Sequence, residues 1–89
     1  MTMSEMFIIC RDLKYAIWLY REFVRLFGDE IVKKNNHTRE VQWCGTYYLR
    51  FITEEASPFI LKGRRNPVTV SGHKFEKMMT IENERRNKK

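Results

Sequence analysis

The chain has little of what builds a disulfide scaffold or a membrane span. Only two cysteines, Cys10 and Cys44, occur in 89 residues, and we expect them to be buried free thiols in a reducing compartment. No run approaches the roughly 18 consecutive apolar residues of a membrane-spanning helix. Residues 1–6 lack the basic and long apolar regions of a signal peptide. We therefore expect a cytoplasmic protein with no membrane partner.

Catalytic and cofactor motifs are equally scarce. The sequence contains neither a Walker A loop nor a Rossmann glycine motif, and it has no G-x-S-x-G nucleophile elbow. His37 and His73 do not combine with the two cysteines at zinc-finger spacing. The neighbouring Glu54 and Glu55 read as a surface loop, because adjacent residues on an extended chain point apart. The prediction is a protein that is not an enzyme and that holds neither metal nor cofactor.

Large apolar side chains, by contrast, are plentiful. Hydrophobic residues make up 43% of the chain, and six Phe, four Tyr and two Trp supply aromatic bulk. Each aromatic side chain can bury roughly 150–250 Å², which favours a folded domain over a disordered chain. We expect one domain over residues 1–89, with residues 85–89 as a frayed basic tail.

Hydrophobic periodicity predicts an amphipathic helix over about residues 12–27. Asp12 is a suitable N-cap, apolar residues follow at i, i+3 and i+4 spacing, and Gly28 stands where a C′ glycine ends a helix. A second helix is predicted from Ser71, its N-cap, to about Arg86, with Phe75, Met78 and Met79 docking it.

Short β-prone runs fill the rest of the chain. Residues 6–10 read as a buried strand, and residues 31–34, 59–61 and 68–70 as further short strands. Alternation in residues 39–43 and 47–52 predicts an antiparallel hairpin around Gly45. The expected fold class is α+β: a small mixed or antiparallel sheet of three to five strands, packed by the N-terminal amphipathic helix, with a second C-terminal helix.

The positive charge is unevenly distributed. Residues 1–61 are charge-balanced, whereas residues 62–89 carry nine Lys or Arg against three Glu and so account for the whole net charge of +6. A basic segment of this kind indicates an acidic partner. Cations around Gly63 on a turn suit phosphate, because Arg binds its oxygens bidentately. The predicted nucleic-acid contacts are Lys62, Arg64, Arg65, Lys74, Lys77, Arg85 and Arg86. A solvated basic turn and an ordinary helix end are the alternative explanation.

The polar face of the first helix carries an unexpected aromatic residue. Trp18 shares that face with Lys14, Arg21 and Arg25, away from the apolar arc. These four residues form a predicted interaction surface, on which Trp18 would stack on a base or anchor a protein interface. Alternatively, Trp18 is covered by a neighbouring loop or held in a local cation–π pair.

One set of segments resembles part of the ATPase domain of phage large terminases. The strand ending in residues 8–11, the helix after it and the hairpin over residues 39–51 follow the order of that family, and residues 60–63 match its "Leu-Arg-Gly"-like segment. The run 68–70 resembles the strand that leads to the Walker B acid. Walker A has no counterpart, and Ser71 and Gly72 stand where the acid would be. The resemblance therefore implies a reduced, non-hydrolytic relative of a P-loop core, encoded by a phage or mobile element.

Two functions are consistent with these features. The first is a small, non-enzymatic nucleic-acid-binding or DNA-metabolism accessory protein, for which the resemblance implies a phage origin. The second is a protein–protein interaction module or regulator that docks on a host or phage protein, or on a second copy of itself, through the Trp18 face or a sheet edge.

Overall fold

The computed structural model describes residues 4–87 and shows a five-stranded mixed sheet with helices. In chain order the elements are β1 (Ser4–Cys10), α1 (Leu13–Phe27), a 3₁₀ turn (Gly28–Glu30), β2 (Ile31–Asn35), β3 (Glu40–Trp43), β4 (Tyr47–Thr53), α2 (Ser57–Ile60), β5 (Val68–Ser71) and α3 (Gly72–Asn87). The strand order is β2-β3-β4-β1-β5. Strand β1 is parallel to both of its neighbours, whereas β2-β3 and β3-β4 are antiparallel. The α+β class with a mixed sheet and two main helices is thus confirmed.

The main core lies between one face of the sheet and the helices α1 and α3. Phe23 of α1 packs against Phe51 of β4 and Phe75 of α3, with ring centroids 5.7 to 6.1 Å apart. Ile8 and Cys10 of β1 belong to the same buried cluster. Because side chains alternate along a strand, Phe7 faces the other side of the sheet and is buried outside this cluster.

The connection from β4 to β5 crosses that second face. Arg64, which belongs to this connection, places its guanidinium 5.0 Å from the ring centroid of Phe7. The connection that leaves β1 passes over the first face as α1. The neighbouring parallel strands β1 and β4 therefore send their connections to opposite faces, an arrangement that opens a crevice at the carboxyl ends of the strands.

Several local expectations are confirmed. Asp12 caps α1, because its Oδ1 accepts the Tyr15 amide at 2.8 Å. Gly45 has the expected positive φ of 73°, and Cys44 beside it also has a positive φ, of 54°. Ser71 caps α3 by accepting the Lys74 amide at 3.2 Å.

Met78 was expected to dock α3 together with Phe75 and Met79. It is half exposed, whereas Phe75 and Met79 are buried.

Three further local expectations are wrong. Residues 57–60 form the short helix α2, not a strand over residues 59–61; Pro58 in its first turn favours a helix start, and Phe59 is exposed. Gly28 is right-handed, with φ −54°, so the chain tightens into a 3₁₀ turn without a left-handed cap. Cys44 is exposed, and only Cys10 is a buried thiol.

The end of the last helix was expected to fray. The helix continues through Asn87, and the Arg86 guanidinium donates a hydrogen bond to Glu30. Lys88 and Lys89, the last two residues of the predicted tail, lie outside the described residues. No helix within residues 4–87 is both long enough and apolar enough to cross a membrane.

Candidate functional site

One concavity, here called the strand-end cleft, opens at the carboxyl ends of the three parallel strands. It has a volume of about 570 Å³. Arg11 follows β1, Glu54 follows β4 and Ser71 ends β5, and all three line it. Residues Lys14, Tyr15 and Trp18 of α1, and His73 and Glu76 of α3, complete the walls. In open sheets with parallel strands this end is where ligands bind.

An aromatic wall is fixed on one side of the strand-end cleft. The rings of Tyr15 and Trp18 are stacked, with centroids 5.9 Å apart and planes inclined by 16°. The Tyr15 hydroxyl donates to Glu76 Oε1 at 2.5 Å, which ties α1 to α3. Burial, followed by this hydrogen bond, raises the pKa of Tyr15 above its ordinary value. Trp18 remains 45% exposed, so its ring is available to a ligand.

The charges around the strand-end cleft nearly cancel. Arg11 and Lys14 face carboxylates of Asp12, Glu54 and Glu76. Arg11 lies 4.6 Å above the Tyr15 ring and 3.9 Å from Asp12 Oδ2. The strand-end cleft therefore offers an aromatic surface and polar acceptors but no excess of positive charge.

A second concavity, the hairpin groove, lies between α1 and the β2–β3 turn and has a volume of about 480 Å³. Its lining combines apolar atoms of α1 with basic or imidazole side chains: Arg21, Arg25, Lys34, His37 and Arg39. No carboxylate is among the lining residues found within residues 4–87. Excess positive charge in a concave surface attracts anions, since the low-dielectric walls focus the field.

Hydrogen bonds order the β2–β3 turn, from which His37 and Arg39 reach the hairpin groove. Asn35 Oδ1 accepts the amides of His37 and Thr38 at 3.0 and 3.2 Å, and the Tyr20 hydroxyl donates to Asn36 Oδ1 at 2.6 Å. Arg39 Nε donates to the carbonyl oxygen of Phe51 at 3.2 Å. The hairpin groove is thus built on fixed elements.

The predicted interaction surface forms one exposed strip on α1. Lys14, Trp18, Arg21 and Arg25, here called the α1 stripe, are all exposed. The stripe separates the two concavities, because Lys14 and Trp18 line the strand-end cleft and Arg21 and Arg25 line the hairpin groove. Arg25 is partly neutralised by Glu22, which accepts two hydrogen bonds from it at 2.8 Å.

The seven predicted nucleic-acid contacts do not form one surface. The turn with Lys62, Arg64 and Arg65 lies at the amino ends of β1 and β5, because Val68 pairs with Met6 and Ser71 with Ile9. The strand-end cleft lies about four residues further along β1, roughly 13 Å away. Arg85 and Arg86 lie near the end of α3, about 20 Å from its start. Only Lys74 and Lys77, on the first half of α3, are close in sequence to the cleft residue His73.

Three of those seven cations already contact carboxylates within the chain. Arg64 donates to Glu5 Oε1 at 2.7 Å. Arg85 lies 3.5 Å from Glu82, and Arg86 donates to Glu30 while its guanidinium lies 4.7 Å from the Phe27 centroid. Lys62, Arg65, Lys74 and Lys77 are exposed.

The hairpin-groove side chains that come from the β2–β3 segment, Lys34, His37 and Arg39, escaped prediction from the sequence, whereas Arg21 and Arg25 were predicted. Charge summed over residues 1–61 is zero and hides the run 33–39, which holds Lys33, Lys34, His37 and Arg39 without an acidic residue. A shorter charge window would have found that run. No sequence pattern near Arg11 or His73 indicates that they line the strand-end cleft, because their proximity depends on the order of the strands in the sheet.

No family model, curated protein or solved structure matches the chain. Within residues 4–87, no group of three or more His, Cys, Asp or Glu side chains is arranged to hold a metal ion. The function is therefore inferred from the side chains and their arrangement.

Proposed function

We propose that this protein binds nucleic acid, as a non-enzymatic accessory protein of DNA or RNA metabolism, through the α1 stripe and the hairpin groove. The observation that carries the proposal is the hairpin groove itself, which is lined by several cations and by no carboxylate among the described residues. Phosphate contacts from Arg and Lys supply most of the affinity of non-specific nucleic-acid binding.

The ion-pair pattern favours the hairpin groove over the basic turn by one cation. Arg21, Lys34 and Arg39 of the groove make no ion pair with a carboxylate of residues 4–87. In the turn Arg64 is paired with Glu5, which leaves two such cations, Lys62 and Arg65. A cation already paired within the protein loses that interaction when it contacts a phosphate, so its net contribution to binding is smaller. The exposed Trp18 on the same stripe adds a surface on which a base can stack.

The family resemblance favours the same class of function. A reduced relative of a phage large terminase, without Walker A and the Walker B acid, would retain contact with nucleic acid but not ATP hydrolysis. On this basis we propose a phage or mobile-element origin and a cytoplasmic site of action.

A salt titration tests the proposal. Labelled oligonucleotides are titrated with the protein at about 50 to 200 mM salt and followed by fluorescence anisotropy. The double variant Arg21→Ala, Lys34→Ala should weaken binding and reduce the slope of log K against log salt by about 1.4, since each contact to a single strand contributes about 0.7.

The matched control removes the same charge elsewhere. Lys62→Ala with Arg65→Ala takes two exposed cations from the basic turn and should leave the slope nearly unchanged. A reduced slope in this pair alone would move the interface to the turn, as the sequence by itself suggests. Absence of binding by the unmodified protein at the lowest salt would refute nucleic-acid binding altogether.

A further inference from the structure

We infer that the strand-end cleft accepts an unpaired nucleobase stacked on Trp18, so that the nucleic acid bound by this protein is single-stranded. The inference rests on the proposed function, which concerns nucleic acid in general, and names the substrate class. In this arrangement the hairpin groove binds phosphates and the strand-end cleft binds a base of the same strand.

The division follows from their charges. The hairpin groove has cations and no carboxylate among the residues that the structure describes there, so it favours phosphate. The strand-end cleft has carboxylates of Asp12, Glu54 and Glu76 beside its cations, which disfavours a phosphate inside it. Carboxylates do, however, accept hydrogen bonds from the exocyclic amino groups of bases.

The aromatic wall supplies the stacking surface. Tyr15 covers one side of Trp18, with the two planes inclined by only 16°, and so holds the indole in place. Tyr15 itself is fixed by its hydrogen bond to Glu76. A base on the exposed part of Trp18 would extend an existing stack without reordering the protein, which reduces the entropy lost on binding.

Geometry connects the two sites. Trp18 and Arg25 lie seven residues apart on the same exposed stripe, about 10 Å along the helix axis. A flexible single strand can cross α1 over the cations of the α1 stripe and enter both concavities. The bases of an intact duplex are stacked inside it and cannot reach the strand-end cleft without being unpaired.

The test compares single-stranded and duplex oligonucleotides of about 16 nucleotides, the upper end of the site size for a small domain. We expect the single strand to bind at least about tenfold more tightly than the duplex. Trp18→Ala should weaken single-strand binding about 5- to 150-fold, the range of base–aromatic stacking. The same variant should leave the salt slope unchanged, because no phosphate contact is lost. Trp18→Tyr should restore most of the affinity.

Phe59→Ala is the matched control, since it removes an exposed aromatic side chain that lines neither concavity and should change nothing. If Trp18→Ala lowers the thermal midpoint, the loss of binding could reflect unfolding. Fluorescence of Trp18 itself then tests the proposal without removing the side chain. In Trp43→Phe the only tryptophan is Trp18, and a bound single strand should quench its fluorescence and shield it from acrylamide.

Each outcome has a separate meaning. Equal affinity for duplex and single strand, with Trp18→Ala without effect, would overturn the cleft assignment and leave nucleic-acid binding intact. Loss of binding to a protein partner in Trp18→Ala, with no oligonucleotide bound by any variant, would overturn both proposals in favour of a protein interface.

Discussion

At the residue scale, the strand-end cleft depends on one glycine. Gly72 begins α3 directly after β5, and a Cβ added there would lie 2.7 Å from Tyr15 Cε2 and 3.2 Å from Cys10 Sγ. Tyr15 cannot move aside freely, because its ring stacks on Trp18 and its hydroxyl is bonded to Glu76. The absence of a side chain at residue 72 thus sets the distance between the two helices at the cleft.

We predict that Gly72→Ala lowers the free energy of unfolding by about 1–3 kcal/mol, the usual cost of overpacking. Urea denaturation monitored by circular dichroism measures the change. Gly28→Ala is the control: Gly28 has a right-handed backbone and nothing within 4 Å of the added Cβ. It should be neutral or stabilising by up to about 1 kcal/mol. Equal losses in the two variants would contradict the close contact at Gly72.

The two thiols should differ sharply in reactivity. Burial raises the pKa of Cys10 to about 11, and its side chain is inaccessible, whereas Cys44 is exposed in the β3–β4 turn. The thiolate is the reactive form, so a maleimide at about pH 7.5 should modify one thiol in the folded protein and two in denaturant. Mass spectrometry counts the adducts. Cys44→Ser should abolish labelling of the folded protein. Rapid labelling of Cys10 in the folded Cys44→Ser variant would contradict the prediction and show that the core opens readily.

At the element scale, α1 serves two purposes with two faces. Its apolar face packs Leu19, Phe23 and Phe27 into the core, while Lys14, Trp18 and Arg21 remain exposed. Because apolar residues recur with the 3.6-residue period of a helix, the sequence predicts which residues lie on each face. The residues across the cleft and groove from α1 come from β-strand ends and turns, and their proximity to α1 is decided by strand order.

A pH-sensitive contact joins the C-terminal end of α3 to the 3₁₀ turn that follows α1. Glu30 Oε1 accepts hydrogen bonds from Arg86 and from Trp43 Nε1, and mainly the Arg86 guanidinium holds the pKa of Glu30 below its ordinary value of 4.5. A carboxyl that binds its proton less readily when folded stabilises the protein above pH 4.5. This contribution is lost as the pH falls through the lowered pKa.

Arg86→Ala should therefore move the midpoint of acid unfolding to higher pH, because the pKa of Glu30 then returns toward its ordinary value. Far-UV circular dichroism recorded from neutral to acidic pH measures the midpoint. Arg85→Ala is the matched control, since Arg85 is more exposed and its one ion pair within residues 4–87 is with Glu82, at 3.5 Å. Coincident midpoints for the two variants would show that the Glu30–Arg86 contact contributes nothing to acid stability.

At the scale of the whole molecule, the distribution of charge along the chain differs from its distribution over the surface. Glu5 lies between Arg50 and Arg64 on the second face of the sheet, at 3.6 and 2.7 Å. Arg50 also lies 3.7 Å from Glu40. Part of the positive charge of the C-terminal third is therefore neutralised by Glu5, from the N-terminal part of the chain. The hairpin groove, between α1 and β2–β3, is lined by cations and by no carboxylate of the described residues.

Elements that depend on neighbouring residues alone could be predicted from the sequence. The apolar period and the Asp12 cap specify α1, and the alternation around Gly45 specifies the β3–β4 hairpin, because neighbouring residues alone set these patterns. The brief apolar run 59–61 carried too little information to distinguish helix from strand. Pro58 at the helix start favours α2, and the Phe59 and Ile60 amides donate to the Ala56 carbonyl oxygen. Likewise the four residues of the α1 stripe were identifiable together because a single helix positions them all.

The order of the parallel strands β4, β1 and β5, and the side chains that their ends bring together, could not be predicted from the sequence. Residues 11, 54 and 71 are far apart in the chain and meet because hydrogen bonding between strands aligns their carboxyl ends. The same pairing puts Arg64 beside Glu5, and it carries the basic turn away from Trp18. These relations depend on long-range pairing and on which carboxylate reaches which cation, and neither can be read from local periodicity or summed charge.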